Sequence, residues 1–291
     1  MIQFDKRKSL KIWYSGRSTD YVAPSFGFGC LYDCSYCYMK RHGKQGVSIA
    51  NNSGDILTKI WQHAHFEAIF DDKLQKPNQT DESASVITYD ISCNEDFSLH
   101  AKFHEWQKIF QFAVDNDNIK FSLATKYVNK NLLTFDAKQK VRIRFSLMPQ
   151  RIANQLEPNT SLIIDRIKAV DQFIAAGYEV HLNFSPVVVY QDWLEDYQEL
   201  FDLCNEHIKN KDKVKCEVIF LTHSENKHID NTNCGRSGEH LLYVPALQEA
   251  KVNKNGASGI RYSRTWKPKF INQFKELHKS NISWCTIRYI F

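Results

Sequence analysis

The 291-residue chain predicts an α/β fold, a partial (β/α)6 barrel followed by a C-terminal extension. Six short runs rich in apolar, β-branched and aromatic residues recur up to residue 221, and amphipathic stretches of helical period stand between most of them. That order belongs to parallel βα units. Residues with chemical potential fall just after the apolar runs, and a parallel barrel carries its chemistry at the C-terminal ends of its strands. A composition of 43% hydrophobic and 24% charged residues lets 291 residues bury one large core, or one core plus a small appendage. The division follows: residues 1–225 as the barrel, residues 226–291 as an extension that closes its mouth.

Strands are expected near residues 25–29, 84–89, 120–124, 141–147, 179–184 and 216–221. Helices are expected over 54–70, 100–116, 129–135, 161–176 and 193–209, with Gly177 suited to the left-handed position just past its helix. On this map a cysteine triplet follows the first strand, Cys93 the second and Lys126 the third. Ser146 ends the fourth, Ser185-Pro186 the fifth, and His223 follows the sixth. Residues 231–259, with Cys234, Gly235, Gly238, Gly256 and Gly259, read as an extended loop over the mouth. Cys204 and Cys216 read as packing residues. His63, His65, His100 and His104 stand at helical spacings that suit metal as well as a plain helix surface.

The formal charge of +5, from 38 Lys and Arg against 33 Asp and Glu, permits a polyanionic partner without requiring one. Met1 opens onto Ile2-Gln3-Phe4-Asp5-Lys6-Arg7-Lys8 with no apolar leader, and no run of eighteen apolar residues occurs. The expectation is a soluble, cytoplasmic chain with no membrane segment and with reduced thiols.

The triplet is Cys30, Cys34 and Cys37, in Gly27-Phe28-Gly29-Cys30-Leu31-Tyr32-Asp33-Cys34-Ser35-Tyr36-Cys37-Tyr38-Met39. A [4Fe-4S] cluster takes thiolate ligands, normally four, so three close cysteines leave one iron open. Structural zinc usually asks for a second Cys/His pair at matching spacing, and Cys93, Cys204, Cys216, Cys234 and Cys285 form no second CxxC. Disulfides suit a secreted chain rather than this one.

With Tyr36 and Tyr38 flanking its last cysteine, the segment resembles the radical S-adenosylmethionine superfamily, which implies that the partial barrel is of the radical SAM type. The order Arg142-Ile143-Arg144-Phe145-Ser146-Leu147, Gln150-Arg151-Ile152-Ala153-Asn154, Glu157-Pro158-Asn159-Thr160, Arg166, Ala176-Gly177-Tyr178-Glu179-Val180 continues through Phe184-Ser185-Pro186-Val187 and Tyr190-Gln191-Asp192-Trp193. It resembles the middle of the spore photoproduct lyases, radical enzymes of DNA repair. With the triplet, Cys93 and Leu123-Ala124-Thr125-Lys126, the resemblance covers residues 20–225.

The resemblance implies two cofactors, a [4Fe-4S] cluster on Cys30, Cys34 and Cys37 and S-adenosyl-L-methionine contacted by Lys126 and Ser146. It also implies an external one-electron reductant of flavodoxin or ferredoxin type. Cys93 corresponds to the donor of a hydrogen atom to the product radical, and Tyr36 and Tyr38 to tyrosines proposed to carry the resulting thiyl radical back. The implied reaction reverses a methyl-bridged thymine dimer in DNA. Plain structural readings stand beside these: a solvated loop lysine, a strand-end hydroxyl, and tyrosines packed around a cluster.

Near the C-terminus, Arg261, Arg264, Trp266 and Arg288 interleave charge with aromatic surface, which suits phosphate contact and base stacking and equally an ordinary amphipathic face. Two other functions stay open on the sequence. One is a lyase-like radical enzyme acting on another base, nucleotide or peptide. The other is a non-catalytic iron-sulfur sensor that binds nucleic acid, against which Lys126, Ser146 and Cys93 count.

Overall fold

The structure, a computed structural model, describes residues 2–39, 46–70, 86–252 and 258–291, with Ile69 described by its backbone alone. Residues 84–85 of the expected second strand, and Gly256, lie outside the described residues.

In chain order the strands are β1 (Ile2–Asp5), β2 (Trp13–Tyr14), β3 (Tyr21–Val22), β4 (Gly27–Phe28), β5 (Val47–Ala50), β6 (Ile87–Asp90) and β7 (Ile119–Thr125). They continue with β8 (Val141–Ser146), β9 (Glu179–Val187), β10 (Lys215–Phe220), β11 (Thr222–His223), β12 (Gln248–Val252), β13 (Ser258–Tyr262) and β14 (Thr286–Ile290). The helices are α1 (Ser53–Gln62), α2 (Phe97–His100), α3 (Trp106–Val114), α4 (Gln150–Leu156), α5 (Ile163–Ala175), α6 (Trp193–His207), α7 (Glu225–Asn233), α8 (Glu239–Leu242) and α9 (Lys267–Asn281).

An eight-stranded sheet in the order β14-β10-β9-β8-β7-β6-β3-β2 forms the barrel wall. All its neighbours run parallel except β2, which pairs antiparallel with β3. The α/β expectation and the partial barrel therefore hold, and five of the six expected strands overlap β6 to β10.

The first expected strand does not belong to this sheet. β4 pairs antiparallel with β5, and β5 pairs parallel with β1, making a separate three-stranded sheet. The first parallel barrel strand is β3, whose Tyr21 and Val22 register with Tyr89 and Asp90 of β6. Two residues are too few to show a period, which is why the sequence hid it.

The 231–259 loop expectation is also corrected among the described residues. Most of that stretch is ordered as the end of α7, α8 and β12, and β12 pairs antiparallel with β13. The expected helix over 54–70 is α1 followed by a π turn (His63–Glu67) and a 3-10 turn (Ala68–Phe70). Gly177 takes φ +79° just after α5, as its place required.

Alternation decides the two faces of the sheet. Val141, Ile143 and Phe145 of β8 are fully buried against the helices, while Arg142 and Arg144 point the other way and are buried too. Arg144 donates to Ser122 Oγ at 3.0 Å and pairs with Asp90 at 2.7 Å and Glu217 at 3.4 Å. Arg142 and Lys120 both pair with Glu179, at 2.8 and 2.9 Å. Arg288 of β14 pairs with Glu217 at 2.5 Å, and the Tyr289 hydroxyl donates to the same carboxylate at 2.9 Å. Burial alone would push the Glu217 carboxyl up, but Arg144, His181 and Arg288 outweigh it and hold the group well below the usual carboxylate range.

The end of the chain is built into this architecture. Phe274 of α9 meets Phe184 (5.8 Å between centroids), Tyr197 (5.5 Å), Phe201 (5.7 Å) and Phe220 (6.3 Å), all edge to face. So α9 packs on α6 and the barrel wall while β14 extends the sheet beside β10. No helix among the described residues is long and apolar enough to cross a membrane.

Phe274→Ala should cost about 3–5 kcal/mol, read as a lower urea midpoint with an unchanged slope. Glu217→Gln should cost about 3–5 kcal/mol near pH 7, because it strands two buried guanidinium groups. A carboxyl with a depressed folded pKa contributes stability above its unfolded pKa of about 4.3 and loses it as pH falls toward the folded value. The gap between Glu217→Gln and the parent should therefore narrow on acidification below about pH 4 in urea titrations run as a pH series.

Candidate active site

At the C-terminal ends of β6 to β10 a cavity of about 380 Å³ opens, lined by Cys30, Cys34, Cys37, Tyr36, Tyr38, Cys93, Lys126 and Ser146. All eight residues expected to ligate a cluster, bind its partner or move a hydrogen atom thus face one space. Asp90, Arg144, Asn183 and Ser185 complete its floor and wall.

The cysteine loop has little regular backbone pairing, so other elements hold it. Gly29 N–H donates to the Asn94 carbonyl at 3.0 Å and Ser35 N–H to the Leu156 carbonyl at 2.9 Å, the latter at the end of α4. Leu31 N–H reaches His100 Nε2 at 3.4 Å. From α7, the buried Lys227 ammonium donates to the Cys37 carbonyl, and Asn231 donates to the Ser35 carbonyl at 3.0 Å. Arg236 pairs with Asp33. Asn231 is fixed in turn by Glu239, whose Oε1 also accepts from His223 at 2.9 Å and His228 at 2.7 Å. His223, expected at the rim, serves this clasp.

Below the loop lies a carboxylate that no local pattern in the sequence marked out. Glu95 is buried, and its Oε2 takes His100 Nδ1 at 2.9 Å and His104 Nε2 at 3.0 Å. These bonds outweigh the effect of burial and keep the carboxyl below its ordinary range. The helical spacing of His100 and His104 is thereby explained by a shared carboxylate. His63 instead contacts the Tyr89 hydroxyl at 2.8 Å, and His65 the Trp61 carbonyl at 2.8 Å. Asp96 sets the next element: it accepts from Leu99 N–H (3.1 Å), Thr125 Oγ1 (2.7 Å) and Lys126 N–H (2.9 Å), tying the start of α2 to the end of β7.

Glu157 organises the opposite wall. Tyr36 donates its hydroxyl to Oε1, Arg166 donates to Oε2 at 2.9 Å, and Lys126 Nζ stands 4.0 Å from Oε1. Arg166 also donates to the Ser146 carbonyl at 2.7 Å, which fixes the strand end carrying Ser146. Burial would lower the Lys126 pKa, but Glu157 and Cys34 raise it above the usual value. Its ammonium is therefore a persistent cation facing the cysteines.

The thiols differ in setting. Burial, aided by Asp96, pushes Cys30 up to about 12, and burial likewise raises Cys34. Cys93 turns its exposed surface to the cavity, and confinement there with Asp90 nearby pushes it up to about 11. It is a thiol at neutral pH. The Tyr38 hydroxyl donates to the Cys93 carbonyl and lies 3.6 Å from its Sγ. Burial, then Cys93, keeps the Tyr38 phenol far above its ordinary range.

Cys30, Cys34 and Cys37 line one cavity with no histidine among the lining residues, a donor set that suits a cluster with its thiolates on separate irons.

The residues expected to hold substrate lie elsewhere. Arg261 pairs with Glu249 at 2.8 Å, and the exposed Arg264 approaches the same carboxylate at 3.9 Å. Trp266 stacks on Phe270 at 5.8 Å and lines a second cavity of about 600 Å³ with Tyr190, Trp193 and His240. The expectation for Arg288 is corrected: its side chain is 4% exposed and committed to Glu217 inside the sheet, so it offers no surface to a phosphate. Its alternation along β14 aims it inward, a fact that depends on the unpredicted pairing with β10.

Gly27 is the tightest point of the assembly, since a Cβ there would lie 2.2–2.4 Å from the Glu95 carboxyl group. Pinned by two histidines, that carboxyl has no free direction. Gly27→Ala should cost about 1–3 kcal/mol through overpacking. It should also raise the maleimide labelling rate of the buried Cys34, read by peptide mapping.

Comparison with known proteins completes the picture. The profile of the family described as spore photoproduct lyase matches residues 2–289. The chain is 28% identical over 227 residues to the spore photoproduct lyase of Clostridium acetobutylicum, covering 76% of this chain and 63% of that protein. It is 28% identical over 201 residues to that of Bacillus subtilis, covering 67% and 54%. The chain thus spans less than two thirds of either relative. A spore photoproduct lyase variant solved with AdoMet and a dinucleoside spore photoproduct matches with a TM-score of 0.87 at 18% identity, covering 100% of this chain and 82% of that one. A spore photoproduct lyase complexed with the dinucleoside spore photoproduct matches at 0.86 and 19%, with the same coverage. At those identities the likeness establishes the fold, the partial radical SAM barrel. Taken with a profile match over nearly every residue, it leaves one assignment: the chain belongs to the spore photoproduct lyase family.

Proposed function

We propose that the chain is a radical S-adenosylmethionine lyase that reverses the methyl-bridged thymine dimer of DNA. The observation that carries the reading is the meeting, in one cavity, of the cysteine triplet, Lys126, Ser146 and a protonated Cys93 beneath the Tyr38 hydroxyl. Relatives solved with AdoMet and with the dinucleoside photoproduct support it.

Cys30, Cys34 and Cys37 would hold a [4Fe-4S] cluster, and Lys126 and Ser146 would meet S-adenosylmethionine beside it. When bound, that pair supplies reductive cleavage of a sulfonium and hence a carbon radical able to take a hydrogen atom from the lesion. Lys126, kept cationic by Glu157 and Cys34, suits the cofactor carboxylate. Cys93 donates its thiol hydrogen atom to the thymine methylene radical left when the bridge breaks, since the S–H bond broken is weaker than the C–H bond formed. Tyr38, next to Cys93 Sγ, is the group placed to return a hydrogen atom to the thiyl radical. Tyr36, bonded to Glu157, orients the wall behind the triplet.

The lesion must leave the helical stack to reach this cavity, and a damaged step costs less to extrude than an intact one. Trp266 lines the second cavity and Arg261 and Arg264 line another of about 420 Å³, and the three are our candidates for strand contact, with both arginines partly neutralised by Glu249. The reading also takes in a flavodoxin- or ferredoxin-type reductant and a cytoplasmic location.

Reconstituted anaerobically, the protein should carry about four irons per chain and remove the dimer from ultraviolet-irradiated dry DNA, followed by mass spectrometry. Cys34→Ala should abolish cleavage of S-adenosylmethionine. Cys93→Ala should keep its iron and that cleavage yet give aberrant adducts in place of thymine. Iron loss from Cys93→Ala would make it a cluster ligand and end the donor assignment.

A further inference from the structure

Two cysteines and a histidine converge at the end of the barrel opposite the cavity. Cys216 is the second residue of β10, Cys285 immediately precedes β14, and His278 stands in the last turn of α9. Their ligand atoms all lie within 4.8 Å of one another. Cys204 stands in the last turn of α6, the helix on which α9 packs. All three cysteines are fully buried, and His278 is 6% exposed.

The Cys216 thiol donates to the Cys285 carbonyl at 3.7 Å. The Cys216 sulfur faces His278 Nε2 at 3.5 Å, and a thiol is a weak partner for a buried imidazole nitrogen. The surroundings are otherwise aromatic, with Phe201 and Phe274 centroids 6.1 and 6.4 Å from the imidazole. A tetrahedral ion with bonds of about 2.3 Å to sulfur and about 2.05 Å to nitrogen sets sulfur and nitrogen about 3.5 Å apart, the separation observed here.

We propose that Cys216, His278 and Cys285, with Cys204 as fourth ligand, form a structural zinc site that fastens the C-terminal helix and strand to the barrel. The ligand types suit a borderline-soft divalent ion, and four ligands from four elements close the coordination shell, as in structural rather than catalytic sites. Cys216 and Cys285 as thiolates balance the two charges of the ion, and Cys204 as a third leaves the centre with one negative charge. Zinc takes cysteine as thiolate and histidine as neutral imidazole. Binding one zinc ion therefore releases the protons of the ligating thiols to solvent, three when Cys204 joins, and involves no redox change. The site is independent of the cluster triplet and of the proposed reaction.

The test must separate this site from the triplet, which also binds metal. The variant with Cys30, Cys34 and Cys37 all replaced by Ala, given zinc and dialysed against a weak chelator, should retain about one zinc ion per chain by plasma mass spectrometry. With cobalt(II) in place of zinc it should show thiolate-to-metal charge transfer and tetrahedral d–d bands. Adding Cys285→Ser, or His278→Phe beside Phe201 and Phe274, should cut bound zinc at least tenfold with far-ultraviolet dichroism unchanged. The parent with its cluster fully reconstituted should show the same zinc and the same loss on Cys285→Ser, a second arm should the triple variant not fold. Absence of zinc from the folded triple variant or reconstituted parent, or zinc retained after either added substitution, would overturn the proposal.

Discussion

Three cysteines that must face one cavity sit on a loop with almost no ladder of its own, and a buried backbone without partners is costly, so the rest of the molecule is arranged to supply them. The loop's carbonyls are taken by Lys227 and Asn231 from α7, and its amides by the Asn94 carbonyl, by His100 and by the end of α4. Each contact spans a large sequence separation. The loop's shape is therefore a tertiary property, and the C-terminal segment is needed to make it.

The inward face of the barrel imposes the second constraint. Charged residues alternate with the apolar ones on the parallel strands, and each buried charge has an opposite within reach: Arg144 with Asp90 and Glu217, Arg142 and Lys120 with Glu179, Arg288 with Glu217. Removing Glu179 or Glu217 takes a partner from two buried cations at once in a low-dielectric setting. The network reaches the cavity through Asp90 and Arg144, which line its floor beneath Cys93. Asp90 raises the Cys93 pKa while Arg144 lowers it, so the interior charges that stabilise the sheet also help hold Cys93 as a thiol.

Carboxylates on either side of the cysteines do different work. Glu95, bound by two histidines, is a rigid support under the loop, and Gly27 is small because that carboxyl occupies the space a side chain would need. Glu157 shares its oxygens among Tyr36, Arg166 and the vicinity of Lys126, so it couples the phenol, the strand end and the free ammonium into one wall.

Local regularities carried much of this in the sequence. The apolar run over 141–147, the CxxxCxxC spacing, Gly177 after its helix and the placing of Cys93, Lys126 and Ser146 after apolar runs were each readable within a few residues, because backbone sterics and strand propensity act at that range. What the sequence by itself determined was the α/β order and the identity of the residues facing the cavity. Only the tertiary structure decided that β3 rather than 25–29 starts the barrel, that Arg288 turns inward, and that α7 clasps the cysteine loop. It alone brought Glu95 under Gly27 and gathered Cys216, His278 and Cys285. Those outcomes depend on which strand pairs with which and on contacts between residues far apart in the chain, and no local period encodes either.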